Sequence, residues 1–236
     1  MAAFVIGAGA IAGAVAAGWH SMSPVSQLYG RTFTGVAPGG SHSVCFTFDD
    51  GPNDPWTGRL LDILARRNTR AAFFMIGRYV AAHPRIARMV AEAGHEIGNH
   101  TFSHPNLIFS PPVAVRRELA ECHAALEDAG IAPAPYFRPP FGGRRPDVLR
   151  AADASGLTTV MWRLSSLDWK LGNPGAIVSK IHPQLRGGEV ILMHDGSHRG
   201  FGTDRSATLG AVDELISRLG TNGITLGKMM RAGERG

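Results

Sequence analysis

Cysteine is nearly absent: 236 residues include only Cys45 and Cys122. Two thiols make neither a disulfide scaffold nor a four-cysteine zinc site. Cys45 alternates with Phe46 and Phe48 in an apolar run and reads as a small buried hydrophobe; a bond between Cys45 and Cys122 stays open. Charge is also sparse. Charged residues make up 18% of the chain and hydrophobic ones 44%, which excludes a disordered chain and allows a sizeable core. Basic residues outnumber acidic ones, 24 to 19, but they are scattered. Arg66-Arg67, Arg116-Arg117 and Arg144-Arg145 are the only arginine pairs, and no run of five basic residues occurs. That excludes the basic stripe of a nucleic-acid binder. The length suits one α/β domain, expected as a monomer.

Residues 2–18 lack charge altogether and consist mostly of small apolar residues. No positive charge precedes them, as a signal peptide would ordinarily have, but Ala14-Val15-Ala16 offers a small-x-small cleavage pattern. The stretch is also at the lower limit for a membrane span. Residues 1–18 therefore read as a signal peptide or membrane anchor, which places the domain outside the cytoplasm. Residues 19–42, rich in Gly, Ser and Pro, read as a linker, and 43–236 as the main folded domain.

Within that domain strand and helix signals alternate. Short apolar runs at 44–48, 71–76, 96–98, 136–137, 158–162, 189–193 and 224–226 read as strands. Helical spacing marks 57–67, 84–93, 112–129, 146–155, 176–185 and 206–219. Alternation at this spacing predicts βα units around a parallel sheet of about seven strands, either open or closed into a barrel. Ligands of such sheets gather at the carboxyl ends of the strands. Five polar clusters fall there: Asp49-Asp50, His100 with His104, Arg138, Asp168 and His194.

Each cluster has a chemical reading. Asp49-Asp50 puts two like charges side by side, which resist joint ionisation. On a continuing strand they would point to opposite faces, whereas a turn at Gly51-Pro52 lets both reach the mouth. His100 and His104, four apart, can converge on one metal if the segment is helical or turned. With Asp50 they form a two-histidine, one-carboxylate set that leaves a position open for water. Arg138 in Arg138-Pro139-Pro140 can fork onto a carboxylate. His194, after a buried strand, should sit at the sheet's mouth. His42, His182 and His198 read as ordinary surface or core histidines.

Thr47-Phe48-Asp49-Asp50-Gly51-Pro52, His100-Thr101-Phe102-Ser103-His104, Arg138-Pro139-Pro140-Phe141-Gly142, Leu167-Asp168-Trp169 and Leu192-Met193-His194 resemble, in order, the five motifs of the polysaccharide deacetylase family (carbohydrate esterase family four, with the nodulation-type deacetylase domain). The resemblance implies a distorted (β/α) barrel. It implies that Asp50, His100 and His104 bind a divalent metal, zinc with cobalt or nickel as alternatives, and that Asp49 is the base, tuned by Arg138. Phe141, where the family usually has Tyr, would give its backbone N–H to the oxyanion. Trp169 and Leu192 would line the acetyl pocket, and His194, oriented by Asp168, would be the acid. Family members often carry further acidic residues just before Asp168, where this chain has Arg163, Ser165 and Ser166, which leaves the groove wall open.

The expected activity is hydrolysis of acetamide groups on N-acetylhexosamine glycans, chitin oligomers or peptidoglycan, with release of acetate. An O-deacetylase such as an acetylxylan esterase would use the same site. A metal-free amidohydrolase is disfavoured by the complete ligand set, and a wall-binding protein with an inactive site by the filled catalytic positions.

Overall fold

The run from Val44 to Phe48 has the composition of a strand covered on both faces. In the computed structural model, which describes residues 13–35, 43–219, 223–227 and 229, it forms the middle of the sheet. β1 (Ser43–Gly51) is buried along its whole length. On one side follow β2 (Ala72–Met75), β3 (Glu96–Asn99), β4 (Tyr136–Phe137) and β5 (Thr158–Thr159). On the other follow β7 (Val190–His194) and β6 (Leu164–Ser165). All pairings along this path are parallel. β8 (Thr225–Leu226) adds a short parallel pairing at the start of β1. The seven strands of the main path form a curled sheet, the distorted (β/α) barrel that was expected.

The strand pleat assigns its two faces. Val44, Phe46 and Phe48 of β1, Phe73 and Met75 of β2, and Ile191 and Met193 of β7 join the core shared with the helices. Cys45, Ala72, Phe74, Tyr136 and Val190 point the other way, into the curl. The helices are α2 (Trp56–Arg66), α3 (Gly77–Ala82), α4 (Pro84–Glu92), α5 (Pro112–Asp128), α6 (Pro146–Ala154), α7 (Asp168–Leu171), α8 (Pro174–Ile181) and α9 (Ser206–Leu219); residues 13–22 form the described part of α1. Proline opens α4, α5, α6 and α8, where its missing N–H costs nothing. Cys45 and Cys122 are both free and buried, one in each core, so they do not pair.

Several elements differ from expectation. The expected strand 158–162 is ordered only at Thr158–Thr159, with Val160 in an isolated bridge to Phe33. α8 begins at Pro174 because the Asn173 side chain accepts the Ala176 N–H at 3.0 Å. The lead-in expected as a linker is docked in its described part. Arg144, fully buried, donates to the carbonyls of Ser23 at 2.5 Å and Ser26 at 2.8 Å. Phe33 pairs with Val160 beyond β5 and Gly35 with Glu189 ahead of β7, so residues 33–35 tie the two sides of the curl together. Of the apolar stretch 2–18, residues 2–12 lie outside the described residues. Among the described residues no helix is long and apolar enough to cross a membrane.

Arg138 fills the inside of the curl. It is fully buried, with its guanidinium 4.1 Å from the centre of the Phe74 ring and 5.8 Å from that of Trp162. It donates to Asp49 Oδ1 and Thr47 Oγ1, both at 2.7 Å, and to the carbonyls of Val160 and Met161, both at 3.2 Å. Burial lowers its pKa, and the neighbouring Asp49 carboxylate opposes that. Removing one partner of such a pair leaves an uncompensated buried charge. Arg138→Met should therefore lower the urea-unfolding free energy of the metal-free protein by about 3–5 kcal/mol. An unchanged unfolding midpoint and slope would contradict this arrangement.

Candidate active site

The pleat of β1 directs Cys45, Thr47 and Asp49 inward and would send Asp50 outward with Phe48. The strand avoids that with a bulge. Its register with β2 shifts between Asp49 and Gly51, and Asp50 takes a left-handed backbone with φ 71°. The strand does not stop at Asp49-Asp50, as expected from sequence, but runs on to Gly51. The bulge, rather than a strand end, brings both carboxylates to the mouth.

His100 and His104 follow β3 on a turn, the second of the two conformations that allow them to converge. The Asn99 side chain accepts the Thr101 N–H at 2.9 Å, and Thr101 Oγ1 accepts the His104 N–H at 3.1 Å. Glu118 of α5 accepts from the Ser103 N–H and hydroxyl, at 2.7 and 2.6 Å. His100 Nδ1 lies 2.7 Å from the Arg138 carbonyl, which can only accept, so Nδ1 carries a proton and Nε2 is the nitrogen left to meet a metal. That Nε2 stands 3.5 Å from Asp50 Oδ1, and His104 Nε2 stands 3.1 Å from the same oxygen. Asp50 Oδ1 is buried and has no hydrogen-bond partner among the described residues. Its three-residue set can offer ligand atoms all within 4.8 Å of one another. Burial pushes the Asp50 carboxyl up, but His100, His104 and His198 outweigh it and hold it well below its usual range. Burial likewise keeps His104 below its ordinary value despite Asp50. An ionised oxygen facing two imidazoles, one fixed with Nε2 inward, suits a divalent ion with nitrogen and oxygen ligands.

His194 ends β7 and is the register partner of Asp49 on the neighbouring strand. Its Nδ1 lies 2.9 Å from Asp168 Oδ1, and its backbone N–H donates to Asp168 Oδ2 at 2.8 Å. Asp168 also accepts from the hydroxyls of Ser166, at 2.9 Å, and Thr208, at 2.8 Å. Ser166 thus holds Asp168 directly. Burial lowers the His194 pKa, but the Asp168 carboxylate overrides it and lifts it to about 9. Burial raises the Asp168 pKa, and His194 with the two hydroxyls reverses that and lowers it.

A cavity of about 490 Å³ joins these parts. Of the residues expected at the site, only Arg138 and Asp168 stand behind its wall. Trp169, half exposed, meets the His194 ring edge-on with centroids 4.9 Å apart. Phe141 has a left-handed backbone, φ 58°, and a half-exposed ring. The loop after β7 adds residues missed from sequence: Ser197, His198, Arg199, Thr203 and Arg205. His198 was read as ordinary, yet it stands against the Asp50, His100 and His104 set. Its one signal was spacing, since His194 and His198 repeat the four-residue interval of His100 and His104.

Comparison with known proteins decides the family. The family model for polysaccharide deacetylase matches residues 37–160, more than half the chain. The chain belongs to the polysaccharide deacetylase family. It is 36% identical over 194 residues to a chitooligosaccharide deacetylase of Bradyrhizobium sp. (strain ANU 289), covering 79% of this chain and 89% of that protein. It is 33% identical over 219 residues to a peptidoglycan-N-acetylglucosamine deacetylase of Bacillus cereus, covering 90% of this chain and 76% of that one. Its fold matches a family 4 carbohydrate esterase from Streptomyces lividans solved with acetate, at a TM-score of 0.72 and 31% identity, covering 80% of this chain and 93% of that one.

Proposed function

We propose that the chain hydrolyses acetamide groups on N-acetylhexosamine glycans, chitin oligomers or peptidoglycan, and releases acetate. The observation that carries this reading is the pairing across one cavity of a carboxylate held by Arg138 with an imidazole held by Asp168, around the Asp50, His100 and His104 set. The two relatives named for N-deacetylation support it.

Asp50, His100 and His104 would hold a divalent ion, zinc in our reading, which would supply Lewis-acid chemistry there. The chain's own residues supply the rest. Asp49 accepts the proton of the attacking water. The Phe141 N–H donates to the developing oxyanion. His194 gives its proton to the nitrogen as the carbon–nitrogen bond breaks, because an amide anion is too poor a leaving group. Acetate and a free amino sugar result. Leu192 and Trp169 face the acetyl methyl. We also infer that the domain works outside the cytoplasm, held by or released from the apolar residues 2–18; membrane fractionation of the full chain tests this, and a purely cytosolic protein would refute it.

Acetate release is the direct test. Metal-stripped protein should release none, and zinc-reconstituted protein should act on chitin oligomers or peptidoglycan. Release from acetylxylan alone would make the chain an O-deacetylase, and none from any substrate would make it a binding protein. The acid assignment predicts a pH dependence. His194 must be protonated, so activity falls as pH rises through its pKa. The Asp168 carboxylate raises that pKa, so Asp168→Asn should move the basic limb of the kcat profile to lower pH. It should also lower the maximum by up to about 10²–10⁴-fold. A basic limb unmoved in Asp168→Asn would rule out His194 as the acid.

A further inference from the structure

The two histidines of the metal-binding set are supported differently. A metal-binding imidazole ordinarily donates its second N–H to a carbonyl or carboxylate, which fixes the ring's orientation. His100 does so through Nδ1 to the Arg138 carbonyl. His104 does not: its Nδ1 is buried and has no hydrogen-bond partner among the described residues. Its ring is instead held between two other rings. Phe141 meets it edge-on, with centroids 4.7 Å apart, and His198 stacks on its face, with centroids 4.5 Å apart and planes 7° from parallel.

His198 also reaches the carboxylate. Its backbone N–H donates to Asp50 Oδ2 at 3.2 Å, and its Nδ1 lies 3.5 Å from the same oxygen. The other oxygen, Oδ1, is the one that faces His100 and His104. One residue therefore occupies the oxygen turned away from the metal set and backs the imidazole that lacks a hydrogen-bonded support.

The position of His198 is itself built. Arg78, just inside α3, donates to the His198 carbonyl at 2.7 Å, and the Tyr79 hydroxyl donates to the Ser197 carbonyl at 3.0 Å. Gly196 lies so close to the bulge that a Cβ there would collide with the Asp50 carbonyl. The loop is thus pinned against the Asp50 backbone on one side and α3 on the other.

We propose that His198 is a positioning residue for the metal: it keeps Asp50 a one-oxygen ligand and holds the His104 ring in its binding orientation. It does not act as a fourth ligand. Its Nδ1 faces Asp50 Oδ2, not the Oδ1 that His100 and His104 approach, and its ring lies parallel to that of His104. The inference rests on the proposed metal function but is tested apart from catalysis.

The test is zinc affinity, measured by competition with a chromophoric chelator, for the unaltered chain, His198→Ala and His198→Phe. Thermal melting of the metal-free forms checks that each variant folds. His198→Ala should weaken zinc binding by about 10–100-fold, the usual effect of losing an outer support. His198→Phe, which keeps a ring for His104 but loses the nitrogen at Asp50, should fall between. Zinc bound equally tightly by His198→Ala and the unaltered chain would overturn the proposal. At saturating Co²⁺ the visible bands of His198→Ala should match those of the unaltered chain, and changed bands would make His198 a ligand and overturn the positioning role. Failure of the metal reading itself would show separately, as an unaltered chain that takes up no zinc.

Discussion

At the mouth of the curled sheet, two carboxylates adjacent in sequence face one cavity because β1 is bulged between Asp49 and Gly51. Each carboxylate is buried and needs proton-bearing or cationic partners of its own, and the rest of the site supplies them. Arg138 neutralises Asp49 from inside the curl, while the imidazoles draw Asp50 to the other side. The same bulge separates the two groups, one held by a cation of the chain and the other turned to two imidazoles with which it could hold a metal.

The supports of the site are also supports of the fold. Arg138 ties Thr47 and Asp49 of β1 to the Val160 and Met161 carbonyls, and its own carbonyl orients His100. Asp168 receives hydroxyls from Ser166 and from Thr208 of α9 while it holds His194. Because Asp49 and His194 are register partners on neighbouring parallel strands, the hydrogen bonding of the sheet fixes their relative height. Asp49 and His194 thus need no mobile segment to meet.

Much of this could be read in the residues because strand pleat and helix punctuation are local properties. The apolar runs of β1, β2 and β7 and the prolines opening α4, α5 and α6 marked those elements close to their observed ends. The elements that were missed carry little local signal. α3 and α7 have six and four residues, and β6 has two, so tertiary contacts decide them. Residues 33–35 look like linker, since their bridges to Val160 and Glu189 join positions more than a hundred residues apart. The bulge at Asp50 was invisible for a similar reason: period two sends adjacent side chains to opposite faces, and only the shifted register with β2 reverses it. His198 was passed over because a lone histidine in a loop has no pattern of its own; its meaning comes from His104 and Asp50, which are distant in the chain.

The division of labour between the two carboxylates is the claim on which the account stands. It is tested most directly by paired measurements of bound zinc and acetate release in Asp49→Asn and Asp50→Asn. The account predicts that Asp49→Asn binds one zinc and releases no acetate above background, while Asp50→Asn loses the zinc. Acetate release by zinc-loaded Asp49→Asn at the rate of the unaltered chain, or zinc held unchanged by Asp50→Asn, would contradict it.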